Sequence, residues 1–181
     1  MRVGWPIDSD IDRGVRVAPT FDLADGNVMP MLGLGVWQVD NSREAVDAVR
    51  WALELGYRHI DTAQAYGNEE SVGQGIRESG VPRKEIFVTT KFLPRNGDPA
   101  AALQESLRRL GLEWVDLYII HWSAGGATWA WPGMEQARES GHARSFQLQC
   151  RRAAEAARSF ERFAGCRSGS VQPVSVQQGA P

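Results

Sequence analysis

Cysteine and long apolar runs are both scarce in this chain of 181 residues. Its two cysteines, Cys150 and Cys166, have no second Cys or His at metal-ligand spacing, so we interpret them as reduced thiols. No apolar run approaches the ~18 residues that a membrane-spanning helix needs. The sequence therefore predicts no metal site, no disulfide framework and no transmembrane segment.

An excess of charge of one sign is also lacking. The 20 Lys and Arg residues nearly balance the 22 Asp and Glu residues, which leaves a formal net charge of -2. Near neutrality gives no long-range attraction to nucleic acid or to an anionic membrane, so neither is expected as a partner. Residues 1–18 contain Asp8, Asp10 and Asp12 and no apolar centre, which does not fit a secretory signal. We therefore expect a cytoplasmic location.

The usual glycine-rich nucleotide motifs are missing as well. Gly33-Leu-Gly35 lacks the third glycine of the Rossmann fingerprint, and Gly73-Gln-Gly75 lies inside a predicted helix. The chain also has no P-loop, no His-Glu-x-x-His and no Gly-x-Ser-x-Gly motif. If a nicotinamide cofactor binds, it must bind to another architecture.

What the chain does contain is an alternation of strands and helices. The turn signal Asp25-Gly26-Asn27 predicts a hairpin. Strands are predicted at 31–37, 57–62, 85–91 and 114–121, and 143–146 begins a possible fifth. Between them, helices are predicted from the N-cap Ser42 to Gly56, then at about 69–78, 99–110 and 131–140. This alternation implies an α/β fold with parallel strands and right-handed crossovers.

The character of the sequence changes near its end. From Gln147 onward Gln, Arg, Ala, Ser, Gly and Pro dominate, and no strand or helix period holds for long, although 151–163 could form a helix. We therefore divide the chain into a flexible extension at 1–18, one α/β unit at 19–145 and a poorly ordered tail at 146–181.

Ionisable side chains end three successive predicted strands. Asp61, Lys91 and His121 occupy these ends, and Tyr66 follows in the next loop. Functional side chains collect at the carboxyl ends of parallel strands, so all four could face one mouth. An ammonium beside a phenol favours the phenolate and so makes the phenol a better proton donor. A carboxylate can orient the ammonium, and a neutral imidazole can hydrogen-bond a substrate oxygen. The set suits carbonyl reduction, with hydride from a nicotinamide or a flavin.

Each of these residues also has a structural interpretation. Tyr66 could be a half-buried packing residue, Lys91 a solvated strand end, His121 a core imidazole, and Asp61 a helix cap. Their joint placement at successive strand ends favours a site.

Two segments are typical of a known enzyme family: residues 56–76, which begin Gly-Tyr-Arg-His-Ile-Asp-Thr-Ala, and Leu32-Gly-Leu-Gly-Val-Trp37. Through these segments, residues 19 to about 145 resemble the aldo-keto reductases. The resemblance implies a TIM (β/α)8 barrel that binds NADPH at the carboxyl ends of its strands. The implied substrates are small-molecule carbonyl compounds, aldehydes and ketones, which are reduced. No metal is implied.

The resemblance also implies roles for individual residues. It places a catalytic tetrad on Asp61, Tyr66, Lys91 and His121, with Tyr66 as the general acid. Ligand contacts are implied for four positions: the cofactor with Val36, Trp37 and Asp61, and the substrate with Trp37 and Trp122. For each tryptophan, a packing role is an equal alternative.

The chain departs from the family beyond Ser145. A complete barrel has eight βα units in about 250 residues, whereas the pattern here ends after four to five units, so we expect an incomplete barrel. With one choice of codons, residues 146–153 read one base later give Ser-Asn-Phe-Ser-Val-Asp-Glu-Leu, which resembles the family. We therefore hypothesise that 146–181 is a translated wrong frame, and that the family's nicotinamide-amide and adenosine-phosphate contacts are lost.

Two alternatives to an active reductase stay open. One is a non-catalytic truncated fragment, or a chain that pairs with another through exposed sheet edges. A complete barrel, by contrast, is expected to be a monomer. The other is a small flavodoxin-like α/β binding module, which fits the length better but leaves the strand-end residues as coincidence.

Overall fold

The computed structural model describes residues 19–23, 25–122 and 128–148. An antiparallel hairpin of β1 (Thr20–Asp22) and β2 (Val28–Pro30) comes first and confirms the predicted turn. A parallel five-stranded sheet follows, with strands β3 (Leu34–Gly35), β4 (His59–Asp61), β5 (Phe87–Phe92), β6 (Val115–Ile120) and β7 (Ala143–Leu148). The strands are connected by helices α1 (Arg43–Glu54), α2 (Glu69–Glu78), α3 (Pro99–Leu110) and α4 (Trp131–Glu139).

The strand order decides between the α/β alternatives. The order in space is β3-β4-β5-β6-β7, which follows the order in the chain. A flavodoxin-like sheet reverses its strand order, whereas a barrel does not, so the flavodoxin-like alternative is wrong for the described residues. The fold is an α/β partial barrel of the TIM family, with the predicted number of βα units.

Local sequence signals explain the helices. Helix α3 begins after Asp98, whose carboxylate accepts a hydrogen bond from the Ala101 amide at 2.9 Å, and it ends at Gly111 with φ +64°. Ser42 has the extended backbone of an N-cap before α1, but its side chain makes no capping hydrogen bond. Within the described ranges, no helix combines the length and apolarity that crossing a membrane requires.

The strands differ from the predictions mainly at their ends. Strand β3 is two residues long, because the chain turns at Val36–Val39 and leaves the sheet before Trp37. Strand β7 continues to Leu148, three residues past the predicted boundary at 145. The extension 1–18, the possible helix at 151–163 and the rest of the tail lie outside the described residues.

The core lies between the sheet and the helices, and two glycines let α2 approach its neighbours closely. A Cβ atom on Gly73 would lie 1.8 Å from the Leu110 carbonyl oxygen of α3, and one on Gly75 would lie 2.7 Å from the Val46 carbonyl oxygen of α1. The buried core itself is one cluster of side chains from the sheet and from α1, α2 and α3, which includes Val49, Leu53, Ile60, Val72, Ile76, Val88, Leu103, Leu107 and Tyr118.

Gly73→Ala should therefore destabilise the fold by about 2 kcal/mol, because overpacking exceeds the gain in helix propensity from alanine. Urea unfolding followed by circular dichroism measures the change. The matched control is Gln74→Ala, at the exposed position between the two glycines, which should change stability by less than about 0.5 kcal/mol. Equal unfolding midpoints for the two variants would contradict the close contact between α2 and α3.

Candidate active site

Three of the four predicted tetrad residues are brought together by the Lys91 ammonium group. Asp61 ends β4, and Lys91 lies near the end of the adjacent strand β5. The Lys91 ammonium donates to the Asp61 carboxylate, to the Thr62 carbonyl oxygen at 2.9 Å and to the Tyr66 hydroxyl oxygen at 3.1 Å. Tyr66 reaches it from the short 3₁₀ turn Gln64–Tyr66, which follows β4.

Lys91 is not a solvated residue at a strand end, which was its structural interpretation. The residue is only 5% exposed, and its three oxygen partners match the three donors of an ammonium. The ammonium also lies 4.7 Å from the centroid of the Tyr66 ring. Lys91 is therefore paired and hydrogen-bonded, as a buried charged group must be, and it lies beside the Tyr66 phenol.

His121 joins this group from the next strand along the sheet. It follows β6, and its amide donates to the Phe92 carbonyl oxygen at 2.9 Å. Its ring meets the Tyr66 ring edge-on, with centroids 5.4 Å apart and an interplanar angle of 79°. Its Nδ1 atom is buried and has no hydrogen-bond partner among the described residues.

The surroundings of His121 lower the pKa of its imidazole and so favour the neutral form. Burial is the main cause that lowers its pKa, the charge of Lys91 lowers it further, and Asp61 opposes the shift in part. A neutral imidazole at pH 7 can donate a hydrogen bond to a carbonyl oxygen without adding a second cation beside Lys91. All four predicted tetrad residues are thus neighbours at one edge of the sheet.

The aromatic residues predicted near the ligand lie at the same edge. The Trp122 ring packs on His121 with centroids 4.3 Å apart and is half exposed, and Trp37, beyond the end of β3, is 67% exposed. A role in core packing is therefore excluded for Trp37. Val36 is different, because its side chain is buried in the core at 1% exposure. This burial leaves no side-chain surface for the predicted cofactor contact of Val36.

Sequence reasoning missed a buried polar layer behind the site. Glu69, only 1% exposed, accepts hydrogen bonds from the Thr90 hydroxyl and from Arg109 Nε, both at 2.8 Å. Asn68 is fully buried beside it. The run Tyr-Gly-Asn-Glu-Glu at 66–70 contains these polar residues, but a polar run of this kind predicts an exposed loop and the start of a helix rather than a buried layer. No group of three or more His, Cys, Asp or Glu side chains in the described ranges could hold a metal ion.

Gln64 fixes the loop that follows β5. Its amide nitrogen donates to the Ala102 carbonyl oxygen at 2.8 Å and to the Ser106 hydroxyl at 2.9 Å, while its amide oxygen accepts from the Leu93 amide at 3.0 Å. The 3₁₀ turn that carries Tyr66 is therefore tied to α3 and to the end of β5, and this limits the positions that Tyr66 can take.

The Aldo/keto reductase family model matches residues 31–178, a range that includes all four tetrad residues. The chain belongs to the aldo/keto reductase family. It is 59% identical over 99 residues to the 9,11-endoperoxide prostaglandin H2 reductase of Trypanosoma cruzi, a match that covers 52% of this chain and 34% of that protein. It is 48% identical over 125 residues to the methylglyoxal reductase DkgA of Escherichia coli, which covers 66% of this chain and 44% of the relative.

A solved structure of this family supports the same assignment. An aldo-keto reductase from Bombyx mori, in complex with NADP, is 42% identical and superposes with a TM-score of 0.66 over 72% of this chain and 50% of that one. The matches show that the chain spans half or less of the length of these family members.

Replacing Lys91 with methionine should raise the pKa of His121, because the variant removes a positive charge and leaves Asp61, which favours protonation. Titration of the histidine ring resonances by NMR measures this. His59 is the internal control: burial is the main cause that lowers its pKa and Lys91 a minor one, so its midpoint should rise less. An unchanged or lower midpoint for His121 would contradict the electrostatic coupling.

The same depressed pKa predicts how stability depends on pH. A histidine whose folded pKa lies below the unfolded value of about 6.5 binds fewer protons in the folded state, so stability falls as pH decreases below that value. His121 and His59 both shift in this direction. Urea midpoints at a series of pH values should therefore fall less in a His121→Gln variant than in the unmodified chain. An equal decrease in both proteins would argue against a contribution from His121.

Proposed function

We propose that this protein is an NADPH-dependent oxidoreductase that reduces aldehydes and ketones to alcohols. The observation that carries the proposal is the buried Lys91 ammonium, held between the Asp61 carboxylate and the Tyr66 hydroxyl with His121 against the Tyr66 ring. The names of the relatives add support, because one reduces methylglyoxal and another was crystallised with NADP. A cytoplasmic location stays a prediction.

The donor set at this edge fits a nicotinamide cofactor and a carbonyl substrate. Trp37 and Trp122 present exposed rings there, and the half-buried imidazole of His121 lies beside Trp122 and against the Tyr66 ring. Of the residues for which the resemblance implies cofactor contacts, we assign Trp37 and Asp61 to NADPH and leave out the Val36 side chain, because it is buried. When bound, NADPH supplies a hydride for the carbonyl carbon.

The side chains of this chain then handle the proton. Tyr66 donates its hydroxyl proton to the carbonyl oxygen of the substrate, so that hydride on carbon and proton on oxygen together give an alcohol. Lys91 stabilises the phenolate that remains on Tyr66, since its ammonium is 3.1 Å from that oxygen. Asp61 orients Lys91, and the neutral imidazole of His121 hydrogen-bonds the substrate oxygen and aligns it.

A second candidate is a non-catalytic chain that associates with a copy of itself. It is favoured by the open form of the described sheet, in which β3 and β7 are edge strands, and by the exposed Met31 and Leu32 just before β3. Light scattering after size exclusion tests it. A monomer that turns over a carbonyl substrate would leave only the reductase proposal.

Tyr66→Phe should lower turnover by about 100-fold or more, because the variant removes the proposed proton donor but keeps the ring that packs on His121. NADPH oxidation with methylglyoxal as the substrate measures turnover, and NADPH fluorescence measures binding, which should persist. Tyr57→Phe is the matched control outside the site and should keep full activity.

Two results would count against the proposal. Turnover by Tyr66→Phe at the rate of the unmodified chain would remove Tyr66 from the role of general acid. Failure of the unmodified chain either to bind NADPH or to oxidise it would reject the reductase function for this chain.

A further inference from the structure

Trp37 lies in a turn whose backbone is strained. The Val39 amide donates to the Val36 carbonyl oxygen at 3.3 Å, which closes the four-residue turn Val36–Val39. Within it Gln38 has φ +64°, and no other non-glycine residue in the described ranges has a positive φ. Side chains with a Cβ atom rarely adopt this left-handed conformation, so something outside the turn must hold it.

The side-chain amide of Asn68 makes the contacts that can hold it. Asn68 Nδ2 donates to the carbonyl oxygens of Val36 at 2.9 Å and of Val39 at 2.8 Å, which are the first and last residues of the turn. Asn68 is fully buried, so these bonds are not exchanged for water. One amide group therefore binds both ends of the turn that presents Trp37.

The same amide reaches the ion-pair side of the site. Asn68 Oδ1 accepts a hydrogen bond from the Thr62 hydroxyl at 3.1 Å, and the Thr62 carbonyl oxygen accepts from the Lys91 ammonium at 2.9 Å. Asn68 also follows Tyr66 by two residues. The nitrogen of the buried Asn68 amide thus bonds to the turn that carries Trp37, and its oxygen bonds to Thr62 beside Lys91.

The usual role of an asparagine at this position does not explain these contacts. Asn68 immediately precedes α2, where its side chain would normally accept a hydrogen bond from a free helix amide, but it makes no capping bond there. Its side-chain hydrogen bonds go instead to the Trp37 turn and to Thr62.

We infer that Asn68 is a positioning residue, which holds the Trp37 turn in its strained conformation and in register with the Lys91–Tyr66 pair. The effect on turnover rests on the proposed function, whereas the effect on Trp37 itself does not. The test therefore uses a signal from Trp37 that needs neither cofactor nor activity.

The experiment labels the seven tryptophans with 5-fluorotryptophan and assigns the Trp37 resonance by its loss in Trp37→Phe. In Asn68→Ala we expect this resonance to move toward that of free 5-fluorotryptophan. Thr62→Val, which leaves both bonds to the turn intact, should not move it. Adding Gln38→Gly to Asn68→Ala should restore the resonance, because glycine adopts φ +64° without strain.

Kinetics separate this inference from the proposed function. If the chain is active, Asn68→Ala should raise the KM for the carbonyl substrate about tenfold and change kcat less than about threefold, because binding contacts are lost and the proton donor is kept. An inactive chain that shows the expected resonance shifts would support the role of Asn68 and reject only the reductase. An active chain with an unmoved Trp37 resonance in Asn68→Ala would overturn the role of Asn68.

If Asn68→Ala does not fold, the unmodified chain provides the measurement. Both side-chain amide protons of Asn68 should exchange with water far more slowly than those of Asn96, which lies in an exposed hydrogen bond with Gln64. Fast exchange of the Asn68 protons would show that the amide does not hold the turn and would overturn the inference.

Discussion

The buried ammonium of Lys91 is the constraint on which the rest of the candidate site depends. A buried charge is costly unless it is paired and hydrogen-bonded, and Lys91 is only 5% exposed. Its partners come from the end of β4 and from the loop after it, so the pairing of β4 with β5 sets where Asp61, Thr62 and Tyr66 must lie. Moving any one of them would leave part of the ammonium without a partner.

A layer of buried polar side chains keeps these partners in place. Glu69 connects α2 to Thr90 on β5 and to Arg109 on α3. Asn68, directly before α2, hydrogen-bonds to the Val36–Val39 turn. Such groups are tolerated in the interior because each has a partner with good geometry. These buried positions would otherwise be expected to hold apolar residues. They hold polar ones because the side chains there support the loops at the strand ends through hydrogen bonds.

Secondary structure was largely predictable because its signals are local. Helix α2 was predicted at 69–78 and α3 at 99–110, and both have these bounds, since an apolar period and a terminal residue act within a few positions of the chain. The length of β3 was not predictable in this way. Residues 31–37 read as one apolar strand, but pairing with β4 occurs at Leu34 and Gly35, and Asn68 bonds the turn beyond.

The sequence alone determined the α/β class and which ionisable residues stand at strand ends, because strand period and parallel order place Asp61, Lys91 and His121 at one edge. Only the tertiary structure decided which of these groups touch. It also decided that the Val36 side chain is buried, that Trp37 is exposed and that Asn68 bonds both carbonyls of its turn. The reason is physical: burial and hydrogen-bond partners depend on distances between residues that are about 30 positions apart in the chain.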